Sequence, residues 1–205
     1  MLQQKAVPAG TLDILNKIMV LRGLDPFYLA GGTALALQMG HRTSVDLDLF
    51  CDCPMENEEI IENLSTQKPI QLLSQSKNIL VLNINNVKVD FVRYTYHLIR
   101  PVHHEEGLRL ASIADIAAMK LAAIAGRGTK RDFVDIFFLL TVLSLKEMLG
   151  FYSQKFPDGN SLMIMRSLTY FEDAETDSMP DGLKEKIDWT EIKKVISQKT
   201  KEIAG

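Results

Sequence analysis

Residues 27–50 read FYLAGGTALALQMGHRTSVDLDLF, and the reading of this stretch decides the fold. A short apolar run, Tyr28-Leu29-Ala30, enters Gly31-Gly32, where the lack of side chains lets a phosphate approach the backbone. Thr33 is expected as the N-cap of a helix over 34–39, and Gly40 as its C-terminal stop. The start of such a helix offers unpaired N–H groups and a positive dipole end, which suit an anion. Residues 45–50 then alternate as a strand, so Asp46 and Asp48 share one face while Val45, Leu47 and Leu49 share the other. Two carboxylates ~7 Å apart along a strand form a metal site only with a cation between them. The segment therefore reads as a phosphate cradle beside a divalent-metal site.

Composition places that segment in an ordinary globular chain. The 205 residues are 46% hydrophobic and 24% charged, enough to bury a core without staples. Cys51 and Cys53 are spaced for neither a disulfide framework nor a zinc knuckle and are expected as reduced thiols. No signal peptide precedes the first helix and no apolar run has spanning length, so a cytoplasmic protein without membrane contact is expected. A net charge of -3 excludes a general nucleic-acid magnet. From 86 to 131, however, eight Lys/Arg stand against four Asp/Glu, which permits a phosphate-bearing substrate there without demanding one.

Outward from the organising stretch, a packing helix is expected from Thr11 to Gly23 on the periodicity of Leu12, Leu15, Ile18 and Met19. A further helix follows Pro54 and ends near Leu64. Three strands, over 70–73, 79–84 and 87–94, are expected as antiparallel neighbours, with Asn85-Asn86 as a hairpin turn. In the last of these Asp90 interrupts an apolar pattern. It reads either as a solvent-facing edge residue or as a third carboxylate facing Asp46 and Asp48, and three oxygens from two strands suit octahedral Mg²⁺. Residues 97–110 look like a connector. His103-His104 point apart and lack a further ligand at metal-binding spacing.

Ser112 with Asp115 starts a helix whose buried stripe contains Lys120 at a position where a core residue belongs. A lysine there must snorkel or reach a cleft; small neighbouring alanines favour a cleft, in which a compact cation would bind a triphosphate. After Gly126-Arg127-Gly128 a second helix starts at Thr129. Asp132 is either a capping residue or a site residue, and Arg131 with Asp135 is expected as a surface pair at i,i+4. Cations crowded at a helix start oppose its dipole, so Arg127, Lys130 and Arg131 point to a nearby anion, with Arg131 assigned to nucleotide binding. Helical patterns at 148–155, 162–170 and 189–203 complete the chain and carry no chemistry of their own.

The pattern Leu29-Ala30-Gly31-Gly32-Thr33-Ala34-Leu35, then His41-Arg42-x-Ser44-x-Asp46-Leu47-Asp48-Leu49-Phe50, resembles the nucleotidyltransferase superfamily of DNA polymerase β-like fold. It is most similar to the AbiEii/AbiGii toxin branch. Asp115-x-x-Ala118-Met119-Lys120-Leu121, followed by Arg127-Gly128 and Arg131-Asp132-x-x-Asp135, extends the resemblance to about residue 140. It implies an α+β fold: a small mixed or antiparallel sheet flanked by helices, followed by a helical C-terminal region. The boundaries are a nucleotidyltransferase core over 1–110 and a helical region over 111–205.

The same resemblance implies that Gly31, Gly32 and Thr33 hold nucleotide phosphates, with Arg42 and Ser44 contributing. Asp46 and Asp48 would ligate Mg²⁺ or Mn²⁺, joined by Asp90. Lys120 would bind the triphosphate, and Asp132 would position Lys120 or activate the acceptor. The expected reaction moves an NMP from an NTP to an acceptor hydroxyl, with tRNA or other RNA as leading acceptor and a cognate antitoxin as a partner. Transfer to a small molecule or protein side chain, and a non-catalytic nucleotide-binding module, are the alternatives.

Overall fold

The computed structural model describes residues 1–65 and 69–204. The chain divides into two compact units, Met1–His97 with Pro101–Ala111, and Leu98–Arg100 with Ser112–Gly205. It is a mixed α/β structure in which the described residues form seven strands and eight α-helices.

All the strands lie in the first unit. They are β1 (Tyr28–Ala30), β2 (Leu47–Cys51), β3 (Ile70–Ser76), β4 (Ile79–Ile84), β5 (Val87–Arg93), β6 (His103–Glu105) and β7 (Leu108–Leu110). They form one sheet in the order β3-β4-β5-β2-β1-β7-β6. β3, β4 and β5 pair antiparallel, as their sequence predicts. Asn85 and Asn86 both take positive φ, 50° and 66°, the conformation that a two-residue hairpin turn of right-handed strands requires. β5 then pairs parallel with β2, and β1 pairs antiparallel with β2 and parallel with β7.

Residues 97–110 are more than a connector. β6 and β7 form a hairpin about Glu106-Gly107, with φ of 51° and 79°. The signal was a residue-glycine turn between short runs, with a glutamate where asparagine is usual. β7 is anchored by Arg109, whose guanidinium donates to the carbonyls of Phe27, Met19 and Leu24 at 2.7–3.0 Å.

Register gives the sheet two unlike faces. Leu47 and Leu49 on β2, Val89 and Phe91 on β5, and Leu80 and Leu82 on β4 are fully buried on one. The other carries Asp48, Phe50, Asp90 and Val92, all partly exposed. Helices α1 (Ala9–Val20), α2 (Gly31–Met39) and α3 (Asn57–Asn63) complete this unit. α2 ends at Gly40, which is left-handed at φ 64° and donates its N–H to Ala36 O, as expected for a glycine stop. Cys51 and Cys53 are joined as a disulfide rather than standing as two thiols. The turn after β2 holds their Cα atoms 5.4 Å apart, inside the span a bridge requires.

The second unit is helical: α4 (Ile113–Gly126), α5 (Lys130–Leu139), α6 (Leu145–Lys155), α7 (Ser161–Ser167) and α8 (Trp189–Ala204). α4 packs against α5, α6 and α7. Its start is fixed by Ser112, whose Oγ accepts from Asp115 N. The Asp115 carboxylate accepts in turn from Ser112 Oγ, Ile99 N and Arg100 N, and pairs with Lys155 Nζ at 2.8 Å with both side chains fully buried. Sequence patterning gave no sign of that ion pair, because Lys155 reads as an ordinary helix-end cation.

Candidate active site

The first unit gathers the residues of the 27–50 stretch around the start of α2. The helix begins at Gly31, with Ala30 extended before it, so Thr33 lies inside the helix and is not its cap. Its buried hydroxyl instead donates to the Asp46 carbonyl and lies 2.8 Å from Ser44 Oγ. Thr33 and Ser44 thereby fix the backbone that delivers Asp46 and Asp48. Gly32 packs under the Arg42 side chain: a Cβ on Gly32 would lie 2.4 Å from an Arg42 guanidinium nitrogen. Arg42 is almost wholly buried and donates to Thr43 O at 3.0 Å.

Gly31 has φ 64°, and a Cβ there would lie 2.2 Å from Asp48 Oδ2. The glycine is required twice, for its left-handed backbone and for the approach of the carboxylate. Asp48 is the register partner of Asp90 across the parallel pair β2–β5, so both point to the same face on strands ~4.8 Å apart. Asp46 falls just before β2 begins.

Asp90 Oδ2 accepts from Lys88 Nζ at 2.5 Å, whereas its Oδ1 is buried with no hydrogen-bond partner among the described residues. Such an orphaned carboxylate oxygen beside a second carboxylate fits a divalent cation with oxygen ligands. Among the described residues no three His, Cys, Asp or Glu side chains are gathered as a ready-made metal cage. The expected ligands Asp46, Asp48 and Asp90 are thus not brought together as one set of three.

The second unit holds Lys120 and Asp132. Lys120 is 6% exposed and does not open to a cleft as a lone cation. Its Nζ pairs with Asp132 Oδ1 at 2.9 Å and Asp135 Oδ2 at 2.6 Å. Asp132 also accepts from Arg127 Nε at 2.9 Å and from Thr129 Oγ1 at 2.7 Å. Burial pushes the Asp132 carboxyl up, but the Lys120 charge and the bonds from Arg127, Lys120 and Thr129 outweigh it and hold the group at about 2. For Lys120 burial likewise opposes the charge, and the two carboxylates overcome it, raising the pKa.

The i,i+4 spacing predicts Asp135 as the partner of Arg131 on the surface. Asp135 is fully buried and turned to Lys120, while Arg131 stays exposed. The signal lay in the spacing, since positions three apart share a helix face and can reach one cation. The cation-rich stretch is also less available than its count suggests. Arg109 is spent on carbonyls, Lys120 on carboxylates, and the buried Lys130 donates to Glu175 O and Asp177 O.

Comparison with known proteins identifies the class. The family described as nucleotidyl transferase AbiEii toxin, Type IV TA system, matches residues 13–202. An uncharacterized protein of Aquifex aeolicus (strain VF5) is 34% identical over 198 residues, covering 93% of this chain and 94% of its own. JHP933 from Helicobacter pylori shares the fold with a TM-score of 0.60 at 20% identity, over 96% of this chain and 93% of that one. The antibiotic-resistance factor ANT(2'')-Ia does so with a TM-score of 0.55 at 14% identity, over 70% of this chain and 90% of its own. The chain belongs to the AbiEii family of toxin–antitoxin nucleotidyltransferases.

Proposed function

We propose that this nucleotidyltransferase moves an NMP from an NTP to a hydroxyl of an RNA acceptor, with Mg²⁺ or Mn²⁺ as cofactor, and that it is the toxin of a toxin–antitoxin pair. The observation that carries the reading is the pairing of Asp48 with Asp90 on an open sheet face, beside the glycine-started helix. Asp48 and Asp90, with Asp46, would hold the divalent cation, which when bound neutralises phosphate charge and eases loss of the acceptor proton. Gly31, Gly32 and Thr33 present backbone N–H groups at a helix start, where phosphate oxygens are stabilised. Arg42 supports that turn from beneath Gly32, and Ser44 holds Thr33. The acceptor oxygen bonds to the α-phosphorus, the bond to the β-phosphate oxygen breaks, and pyrophosphate leaves.

Arg131, which stays exposed, is proposed to neutralise triphosphate charge, and Lys120, already neutralised by Asp132 and Asp135, is proposed as a positioning residue. The engagement of three cations of the basic stretch by carbonyls and carboxylates of the protein favours a second reading, a small-molecule or protein hydroxyl as acceptor. ANT(2'')-Ia, of similar fold, has been seen in complex with adenylyl-2''-tobramycin.

The test is incubation with each α-labelled NTP, Mg²⁺ and total cellular RNA, beside an Asp46→Asn/Asp48→Asn control. Label in RNA with the parent alone supports the proposal and names the base. Label on protein or in small molecules moves the acceptor to the second reading. No label and no NTP binding by calorimetry would overturn nucleotidyl transfer for this chain.

A further inference from the structure

The open face of the sheet carries more than its carboxylates. One residue pair further along β2 and β5, Phe50 faces Val92, ~7 Å from the Asp48–Asp90 pair along the strands. Ile79 of β4 stands next to Val92 in the same row and is 43% exposed. Beyond β5 the chain stays against β2 for one more residue, through Tyr94 N donating to Cys51 O at 2.6 Å. That bond sets the Tyr94 ring beside Phe50 at 4.9 Å between centroids, tilted 38°. Tyr96 lies 5.2 Å further on, tilted 52° and 49% exposed. Burial falls steadily from the carboxylates outward, from half-buried Phe50 and Tyr94 to the open ring of Tyr96.

A row of this kind is costly to leave in water, whereas the opposite face of the same strands is fully buried. Its chemistry is specific. Aromatic faces in series stack successive unpaired bases with little regard to sequence. One mononucleotide base needs a single ring, and three neighbouring rings suit a strand. We propose that Phe50, Tyr94 and Tyr96 form a stacking platform for the unpaired end of a single-stranded RNA acceptor, guiding its terminal hydroxyl toward Asp48 and Asp90. This rests on the RNA reading above and adds how the acceptor is recognised: by base planes, without dependence on the spent cations.

The test uses the full chain and a fluorescent single-stranded oligoadenylate, with Tyr96→Ala and Tyr96→Phe beside the parent. Loss of one stacking ring is expected to weaken oligoadenylate binding by about tenfold. Tyr96→Phe should restore it, and the salt dependence should stay unchanged because no phosphate contact is removed. The same strand annealed to its complement should bind the parent poorly, its bases being already stacked. Equal binding by Tyr96→Ala and the parent overturns the platform. So does weakened ATP binding with oligoadenylate unaffected, which assigns the rings to the NTP base. Loss of self-association in Tyr96→Ala, with oligoadenylate affinity unchanged, assigns the face to protein contact and overturns it too. ATP–Mg²⁺ binding in the parent separates the two ideas: if ATP binds and oligoadenylate does not, the platform fails while nucleotidyl transfer stands.

Discussion

Gly31 and Asp48 are in mutual contact across the start of α2: the carboxylate oxygen occupies the space where any side chain at position 31 would stand, 2.2 Å from its Cβ. The glycine turn proposed to hold phosphate and the carboxylate proposed to hold the metal are thus built as one object. Gly31→Ala must both adopt a left-handed backbone and displace Asp48. It is expected to lose about 1–3 kcal/mol of stability and most nucleotidyl transfer. Gly10→Ala, where a Cβ meets nothing within 4 Å, is the control. Thermal unfolding and labelled-nucleotide transfer of both variants check it, and a fully active Gly31→Ala would refute the arrangement.

Asp48 and Asp90 place like charges opposite one another on neighbouring strands, an unfavourable pairing that the Lys88 ammonium on Asp90 offsets only in part. Asp48→Asn is therefore expected to raise metal-free stability by about 0.2–1 kcal/mol while lowering transfer on the order of 100-fold. Denaturation in chelator, set beside transfer assays with Mg²⁺, reads both effects. A variant that loses stability and activity together would point to a purely structural carboxylate.

Asp132 has its carboxyl held at about 2, below the ordinary aspartate value. A depressed folded-state pKa stabilises the protein above the unfolded pKa, and that stabilisation disappears as pH falls through the folded value. The window is about pH 4 down to 2, and the contribution at neutral pH is about 2 kcal/mol. Urea unfolding across that window should fall steeply for the parent and less steeply for Asp132→Asn. Parallel curves would mean that the Lys120–Asp132 contact does not persist in solution.

Lys155 and Asp115 form an ion pair with both side chains fully buried. Removing one partner strands the other charge, so Lys155→Met should cost about 3–5 kcal/mol. Asp115→Asn/Lys155→Met should recover part of that loss, since the neutral amide can still accept from Ile99 N or Arg100 N. A double-mutant cycle by calorimetry measures the coupling, and additive losses would show that the pair is not held in solution.

Local signals made much of the chain legible. The alternation from Leu47 to Cys51, the Asn85-Asn86 turn, the Gly40 stop and the Ser112 cap are decided by residues a few positions apart, and the structure keeps them, whereas Val45 is exposed and Asp46 precedes the strand. The β6–β7 hairpin was missed because its turn uses Glu106-Gly107 and its strands are only three residues long. Thr33 has the residue type of a cap, but a hydroxyl at a helix start serves equally well as a donor to a distant carbonyl, here that of Asp46.

The amino-acid order by itself determined the glycine turn, the strand that carries Asp48 and the family to which they belong. These depend on periodicity and on backbone freedom, which neighbouring residues set. Only tertiary structure decided which charges meet. Asp90 comes opposite Asp48 through strand register, and Asp135 turns inward to Lys120 through helix packing. Arg109 closes on three carbonyls from 82 to 90 residues away. Electrostatic partners are chosen by distance in space and by the cost of burying a charge alone, and sequence separation encodes neither.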